Sequence, residues 1–128
     1  MKLSKERFDA YSGEGRYVVE GTANRTGNGV AVLIVGGEKP HIGAVAIAVP
    51  RPSLKGRAKI SATCSVYTLL GHKDDEVAKP AAERLASELR EVTVVIAGIH
   101  VNNASKKEIS TLVGNAEKVV QELLRKMK

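Results

Sequence analysis

Three stretches of the chain are almost unbroken in apolar residues: 30–35 (VAVLIV), 42–49 (IGAVAIAV) and 92–99 (VTVVIAGI). Each is short and rich in Val and Ile, which suits a strand buried on both faces. Residues 60–70 alternate instead. Ile60, Ala62, Cys64, Val66 and Leu70 point one way, and Ser61, Thr63, Ser65 and Tyr67 the other. Residues 16–24 alternate weakly and suit a further strand. The apolar period changes to that of a helix over 73–90, where Val77, Ala81, Leu85 and Leu89 recur every fourth residue. Asp74, Asp75 and Glu76 favour the positive end of that helix, and Pro80 should kink its first turns or delay its start. Ser105-Lys106-Lys107-Glu108 reads as a capping box. It opens a long amphipathic helix with Ile109, Leu112, Val113, Ala116, Val120, Leu123 and Leu124 on one face.

Turn signals separate these segments. Asn28-Gly29 offers the positive-φ positions of a tight hairpin, and Gly36, Gly37 and Pro40 mark the next turn. The order is a β-meander followed by strand, helix, strand, helix. That predicts one α+β (mixed α/β) domain over 16–128 with a mixed, mostly antiparallel sheet of about five strands. Residues 1–15 are polar and expected to be loosely attached. If the strands at 60–70 and 92–99 are parallel and share a sheet, their connection should be a right-handed crossover. Two helices about 10 Å apart cover one face of five strands about 4.8 Å apart. Strands apolar on both faces then leave the second face in need of cover, and a second subunit is the simplest candidate.

Composition adds two constraints. The 128 residues include only three Tyr, one Phe and no Trp, so the core must be aliphatic. The net charge is +6, and Arg51, Lys55, Arg57 and Lys59 lie together with no acid among them. This segment reads as an exposed, mobile loop that would bind an anionic partner through charge. Four aromatics offer no stacking platform for nucleic acid, so nucleic acid is not the expected partner. The single Cys64 rules out an internal disulfide framework and reads as an inert core thiol. With no apolar leader and no run of the roughly 18 apolar residues that a membrane span requires, the expected location is the cytoplasm.

The usual catalytic signatures are missing: no Walker lysine motif, HExxH, CxxC or GxSxG occurs. The chemistry that remains is in three histidines, each at a strand junction and within two residues of a glycine: His41 with Gly43, His72 with Gly71, His100 with Gly98. Lys73, Asp74 and Asp75 follow His72, and Asn102 and Asn103 follow His100. Carboxyl ends of crossover strands are where ligands tend to bind. His72 and His100 should therefore share an edge, joined by His41 if its strand runs antiparallel. The histidines are too widely spaced for a metal signature, and no metal is expected. Plain junction histidines bonded to loops are the other reading.

The segments "GGEKPHIGAVAIAVP", "GHKDDEVAKPAAERLA" and "AGIHVNNASKKEI", with the closing amphipathic helix, resemble the prenylated-flavin chaperone-like family. Its best-known members are small subunits that accompany gallate-type decarboxylases, and its fold is similar to that of proteasome assembly chaperones, which pair as dimers. The resemblance covers about residues 16 to 124. It carries over His41, Gly43, His72, Lys73, Asp74, Asp75, His100, Asn102 and Asn103 as ligand- or partner-binding positions, with no catalytic residue assigned. It implies a non-catalytic, chaperone-like module that assists a decarboxylase partner protein or the assembly of another complex. No cofactor is required, though prenylated FMN or FMN could bind transiently. A small enzyme using a strand-end histidine as acid or base is the alternative from a different class.

Overall fold

The computed structural model describes residues 6–69 and 73–128, apart from the side chains of Arg57 and Ala58. The elements run β1 (Glu6–Ser12), a single 3-10 turn (Gly15–Tyr17), β2 (Val19–Arg25), β3 (Gly29–Gly37), β4 (Ala44–Ser53), β5 (Gly56–Thr68), α1 (Asp75–Leu89), β6 (Val92–His100) and α2 (Lys106–Met127). One six-stranded sheet has the order β1-β2-β3-β6-β4-β5. Only β3 and β6 pair in parallel; the other neighbours are antiparallel. Because β4 is antiparallel to both β5 and β6, those two strands run the same way with β4 between them. Helix α1 makes the crossover.

The expected α+β architecture is present, with six strands rather than about five. The additional strand is β1. Residues 6–12, expected within a loosely attached segment, pair with β2 along their whole length. An edge strand covered on one face needs few apolar residues. Here Ala10 is buried and Phe8 is half-buried against the core, too weak a pattern to read in advance.

Both helices lie on one face. On the covered face the sheet presents Val19, Ala23, Val30, Val32, Ile34 and Val95, which share one core cluster with Val119 and Leu123 of α2. Under α1 it presents Ala44, Ala46 and Ala48 from β4, and the helix answers with Ala78, Ala82 and Ala86, all buried. Small side chains on both elements bring the helix backbone close to the sheet. Pro80 sits inside α1 on its exposed side, so the helix contains it rather than starting after it. The capping box of α2 is complete: Ser105 Oγ accepts from Glu108 N–H, and Glu108 Oε1 accepts from Ser105 N–H. Ile109, placed on the apolar face by periodicity, is 46% exposed.

Two turns differ from expectation. The β2–β3 hairpin closes with Thr26 N–H on the Gly29 carbonyl, and neither Asn28 nor Gly29 has positive φ. Thr26 Oγ1 instead accepts from Asn28 N–H, a side-chain turn that needs no left-handed residue. The basic segment 51–59 is not a loop. Arg51 lies in β4 and Lys59 in β5, and only Leu54 and Lys55 form the turn between them.

The second face of the sheet is apolar at its centre. One row across it reads Asp9, Thr22, Leu33, Ile96, Val45, Tyr67, and the next Arg7, Asn24, Ala31, Val94, Ile47, Ser65. Leu33, Ile47 and Val49 are 41%, 43% and 48% exposed, and no described residue covers them. The two-sided apolar character of β3, β4 and β6 is thus real, while the described residues cover only one side.

Candidate functional site

The site is built where β6 ends, β4 begins and both helices begin. His41 precedes β4, which runs antiparallel to β6, so its entrance lies beside the exit of β6 at His100. Two glycines permit the close approach. A Cβ on Gly98 would overlap the His41 carbonyl, and one on Gly43 would overlap the Asp74 carboxylate. The chain of β4 therefore begins in contact with the backbone of β6. The rings of His41 and His100 meet edge to face, with centroids 6.4 Å apart.

Asp74, just ahead of α1, is buried and holds the edge together. Its Oδ1 accepts from Ile99 N–H on β6 at 2.9 Å, and its Oδ2 lies 3.0 Å from His41 Nε2. The other ring nitrogen of His41, Nδ1, donates to the Lys39 carbonyl at 2.8 Å. A carbonyl and a carboxylate only accept. The His41 ring thus bridges the Lys39 carbonyl and the Asp74 carboxylate. The backbone carbonyl of Asp74 also receives Val77 and Ala78 N–H, which starts the helix.

His100 is exposed, and its Nε2–H donates to Asn102 Oδ1 at 3.0 Å. Asn103 takes a left-handed backbone with φ 52°, turning the chain from β6 toward α2. Beyond this turn lies an open cleft of about 470 Å³. Lys73, Asp74, His100 and Asn103 are among its polar lining, with Glu76. Ile99, Ile109, Leu112 and Val113 give it an apolar wall, which accounts for the exposure of Ile109.

Of the nine expected positions, His41, Gly43, Asp74, His100 and Asn102 thus meet in one bonded or contacting cluster, and Lys73 and Asn103 join it at the cleft. Asp75 is the first residue of α1, is half-buried, and does not line the cleft. His72 lies outside the described residues. Among the described residues no three His, Cys, Asp or Glu side chains gather as a metal-binding group. Cys64 is half-buried on β5, away from the cleft, and desolvation pushes its thiol pKa up, as an unreactive thiol requires.

Sequence patterns did not point to a second layer around Asn102. Glu38 Oε1 accepts from Asn102 N–H, and Arg16 donates to the Asn102 carbonyl while lying near Glu38 and Glu108. Tyr17 O–H donates to Glu108 Oε2 at 2.7 Å. The capping bond from the Ser105 backbone, then the Tyr17 hydroxyl, hold the Glu108 carboxyl below its usual range. That hydrogen bond in turn raises the Tyr17 pKa. Glu38 lies in the "GGEKPH" segment and Glu108 is half of the capping box, so each has a sequence signal of another kind. Arg16 carries none.

The family model described as the prenylated flavin chaperone LpdD-like domain matches residues 13–128 of the chain. Among solved structures, the chain is similar to "Crystal Structure of a Novel Chaperone Complex for Yeast 20S Proteasome Assembly", at 13% identity and a TM-score of 0.59, over 99% of this chain and 96% of that one. At that identity the likeness is one of fold. None of the curated proteins matches.

Proposed function

The chain belongs to the LpdD-like prenylated flavin chaperone family, and we propose that it is a non-catalytic binding module that helps a prenylated-flavin-dependent decarboxylase acquire or keep its cofactor. The observation that carries this reading is the cleft at the end of β6. It joins an apolar wall (Ile99, Ile109, Leu112, Val113) to polar side chains at its mouth (Lys73, His100, Asn103). That combination suits a flat, partly apolar ring with an anionic tail: the wall takes the ring, Lys73 offers charge to a phosphate, and Asn103 and His100 offer hydrogen bonds. Glu76 on the same lining opposes a dianion held without Lys73. The bound flavin would supply its own chemistry to the partner enzyme, and this chain would hold and release it. Titration with FMN and with prenylated FMN, followed by flavin fluorescence, tests the reading. Saturable binding that His100→Ala and Lys73→Ala weaken at unchanged fold supports it, and absence of binding to either flavin overturns it.

The uncovered sheet face favours a second element of the same reading: the module works as a homodimer. Across the outer face the strands read polar (β2: Glu20, Thr22, Asn24), apolar (β3), apolar (β6), apolar (β4), polar (β5: Ser61, Thr63, Ser65). The pattern is palindromic about β6. A two-fold axis lying between two copies and parallel to β6 sets β3 of one copy on β4 of the other, and β2 on β5. Apolar then meets apolar and polar meets polar, the self-complementarity an isologous interface requires. A role in the assembly of a larger complex, as for the yeast chaperone complex, is compatible with the same dimer.

A further inference from the structure

The β4–β5 hairpin leaves the sheet as a two-stranded arm. Strand β4 pairs with β6 only as far as Ala48↔Thr93, whereas β4 and β5 continue together through Pro52↔Ile60 to Ser53↔Gly56. The arm ends at Leu54, which is 94% exposed. From Lys39 to Lys73 the sequence holds no acid, and Arg51, Lys55, Arg57 and Lys59 all fall on this arm. Arg51 Nε donates to Thr63 Oγ1 across the two strands, which fixes that charge on the outer face.

The two edges of the arm differ. Leu69 N–H donates to the Gly43 carbonyl, and the register is constant from Ala44↔Thr68 to Pro52↔Ile60. Odd-numbered residues of both strands therefore turn their peptide groups toward each other, and even-numbered ones turn theirs outward. On β4 the outward positions past the end of β6 are Pro50 and Pro52, which have no N–H. Proline there closes an edge to strand pairing. At the opposite end of the sheet, Lys126 from α2 donates to the Asp9 carbonyl of β1. Along β5, a strand of 13 residues, the outward positions include Ile60, Ala62, Cys64 and Val66. None is proline, and no described strand pairs with that side. Glu83 of α1 is bonded to Lys79 at 2.8 Å.

We infer that the outer edge of β5 is a docking site for an extended, acidic segment of a partner protein, added to the sheet as a seventh strand and held in register by the cations of the arm. Backbone bonding to the edge gives such a site its affinity, and side-chain charge gives it selectivity. The same charge decides against a second copy of this chain: edge-to-edge pairing of two β5 strands would bring two acid-free cationic arms together. The inference rests on reading the chain as a partner-binding module, but it uses neither the cleft nor the apolar centre of the outer sheet face.

The test uses the intact protein and a synthetic peptide of about ten residues alternating Glu with Val, long enough to follow the edge at about 3.3 Å per residue. Backbone amide exchange is read by NMR, with flavin binding and particle mass measured on the same preparation, so that failure here is separable from failure of the cleft or dimer readings. The Glu peptide is expected to slow exchange at Ile60, Ala62, Cys64 and Val66 by about tenfold or more, and to lose affinity steeply between about 50 and 300 mM salt. A Lys-for-Glu peptide and a Glu peptide N-methylated along one edge should not bind. The Lys55→Glu/Lys59→Glu variant should exchange its preference and take the Lys peptide. The proposal is overturned by no binding at about 1 mM peptide, by binding without protection at those four amides, or by equal binding of the N-methylated peptide. Equal binding of duplex DNA or anionic phospholipid vesicles, lost in the charge-reversed variant, would assign the arm to polyanions in general and overturn it as well.

Discussion

Asp74 Oδ2 lies 3.0 Å from His41 Nε2, across 33 positions of sequence, and this contact ties the start of α1 to the threshold of β4. The second oxygen of the same carboxylate holds Ile99 at the end of β6. One buried side chain therefore sets three elements around the cleft. Asp74, expected among the ligand- or partner-binding positions, lines the cleft while its carboxylate ties these elements together.

Asp74→Ala should cost about 2–4 kcal/mol of unfolding free energy, because it leaves the Ile99 N–H and the His41 ring without their buried acceptor. Asp74→Asn, which keeps an acceptor for Ile99, should cost less. Urea denaturation of the two variants checks the order. Equal and small losses would show that the carboxylate is dispensable.

Gly98→Ala should destabilise by about 1–3 kcal/mol, since the new methyl meets the backbone carbonyl of His41 rather than a side chain that can move away. The added bulk pushes β4 from β6 at the mouth of the cleft, so flavin affinity should fall with stability. An unchanged melting curve would mean that the two strands separate without cost.

His100→Ala and Lys73→Ala change exposed side chains and should alter stability by no more than about 1 kcal/mol. Their effect should emerge in ligand or partner binding. Severe unfolding of His100→Ala, seen by circular dichroism, would make that histidine structural.

Light scattering after size exclusion should give at least twice the 13.6 kDa chain mass. Leu33→Glu with Ile47→Glu places charge in the middle of the apolar outer face and should yield a folded monomer. A wild-type monomer at micromolar concentration would remove the dimer.

The capping box has a pH signature. Glu108 has a folded pKa below its ordinary value, held there first by the Ser105 backbone and then by Tyr17. The unfolded chain binds the proton more readily, so this contribution is complete above the ordinary carboxylate range and is lost as pH falls through the lower folded value. Glu108→Gln should flatten that acid-side loss. Ser105→Ala should cost about 0.5–2 kcal/mol near neutral pH. Thermal melts across the acid range read both.

What the sequence determined by itself is local or periodic. The capping box, the helical repeat of α1 and α2, the alternation of β5 and the two-sided apolar strands are all written in short windows, because each reflects how one element divides its faces between core and solvent. The junction histidines were legible in part: His41 could share an edge with His100 only if β4 ran antiparallel beside β6, a condition that the sheet order met. Tertiary structure decided the rest. It made β1 from a segment with one buried side chain, because a partner strand supplied the hydrogen bonds that the pattern did not advertise. It turned the basic segment from a loop into a paired arm, since the β4–β5 ladder outlasts the apolar run that announces it. It also drew Asp74 inward, because only the folded chain brings the Ile99 N–H and the His41 ring to one carboxylate, and burial without such partners would cost more than solvation.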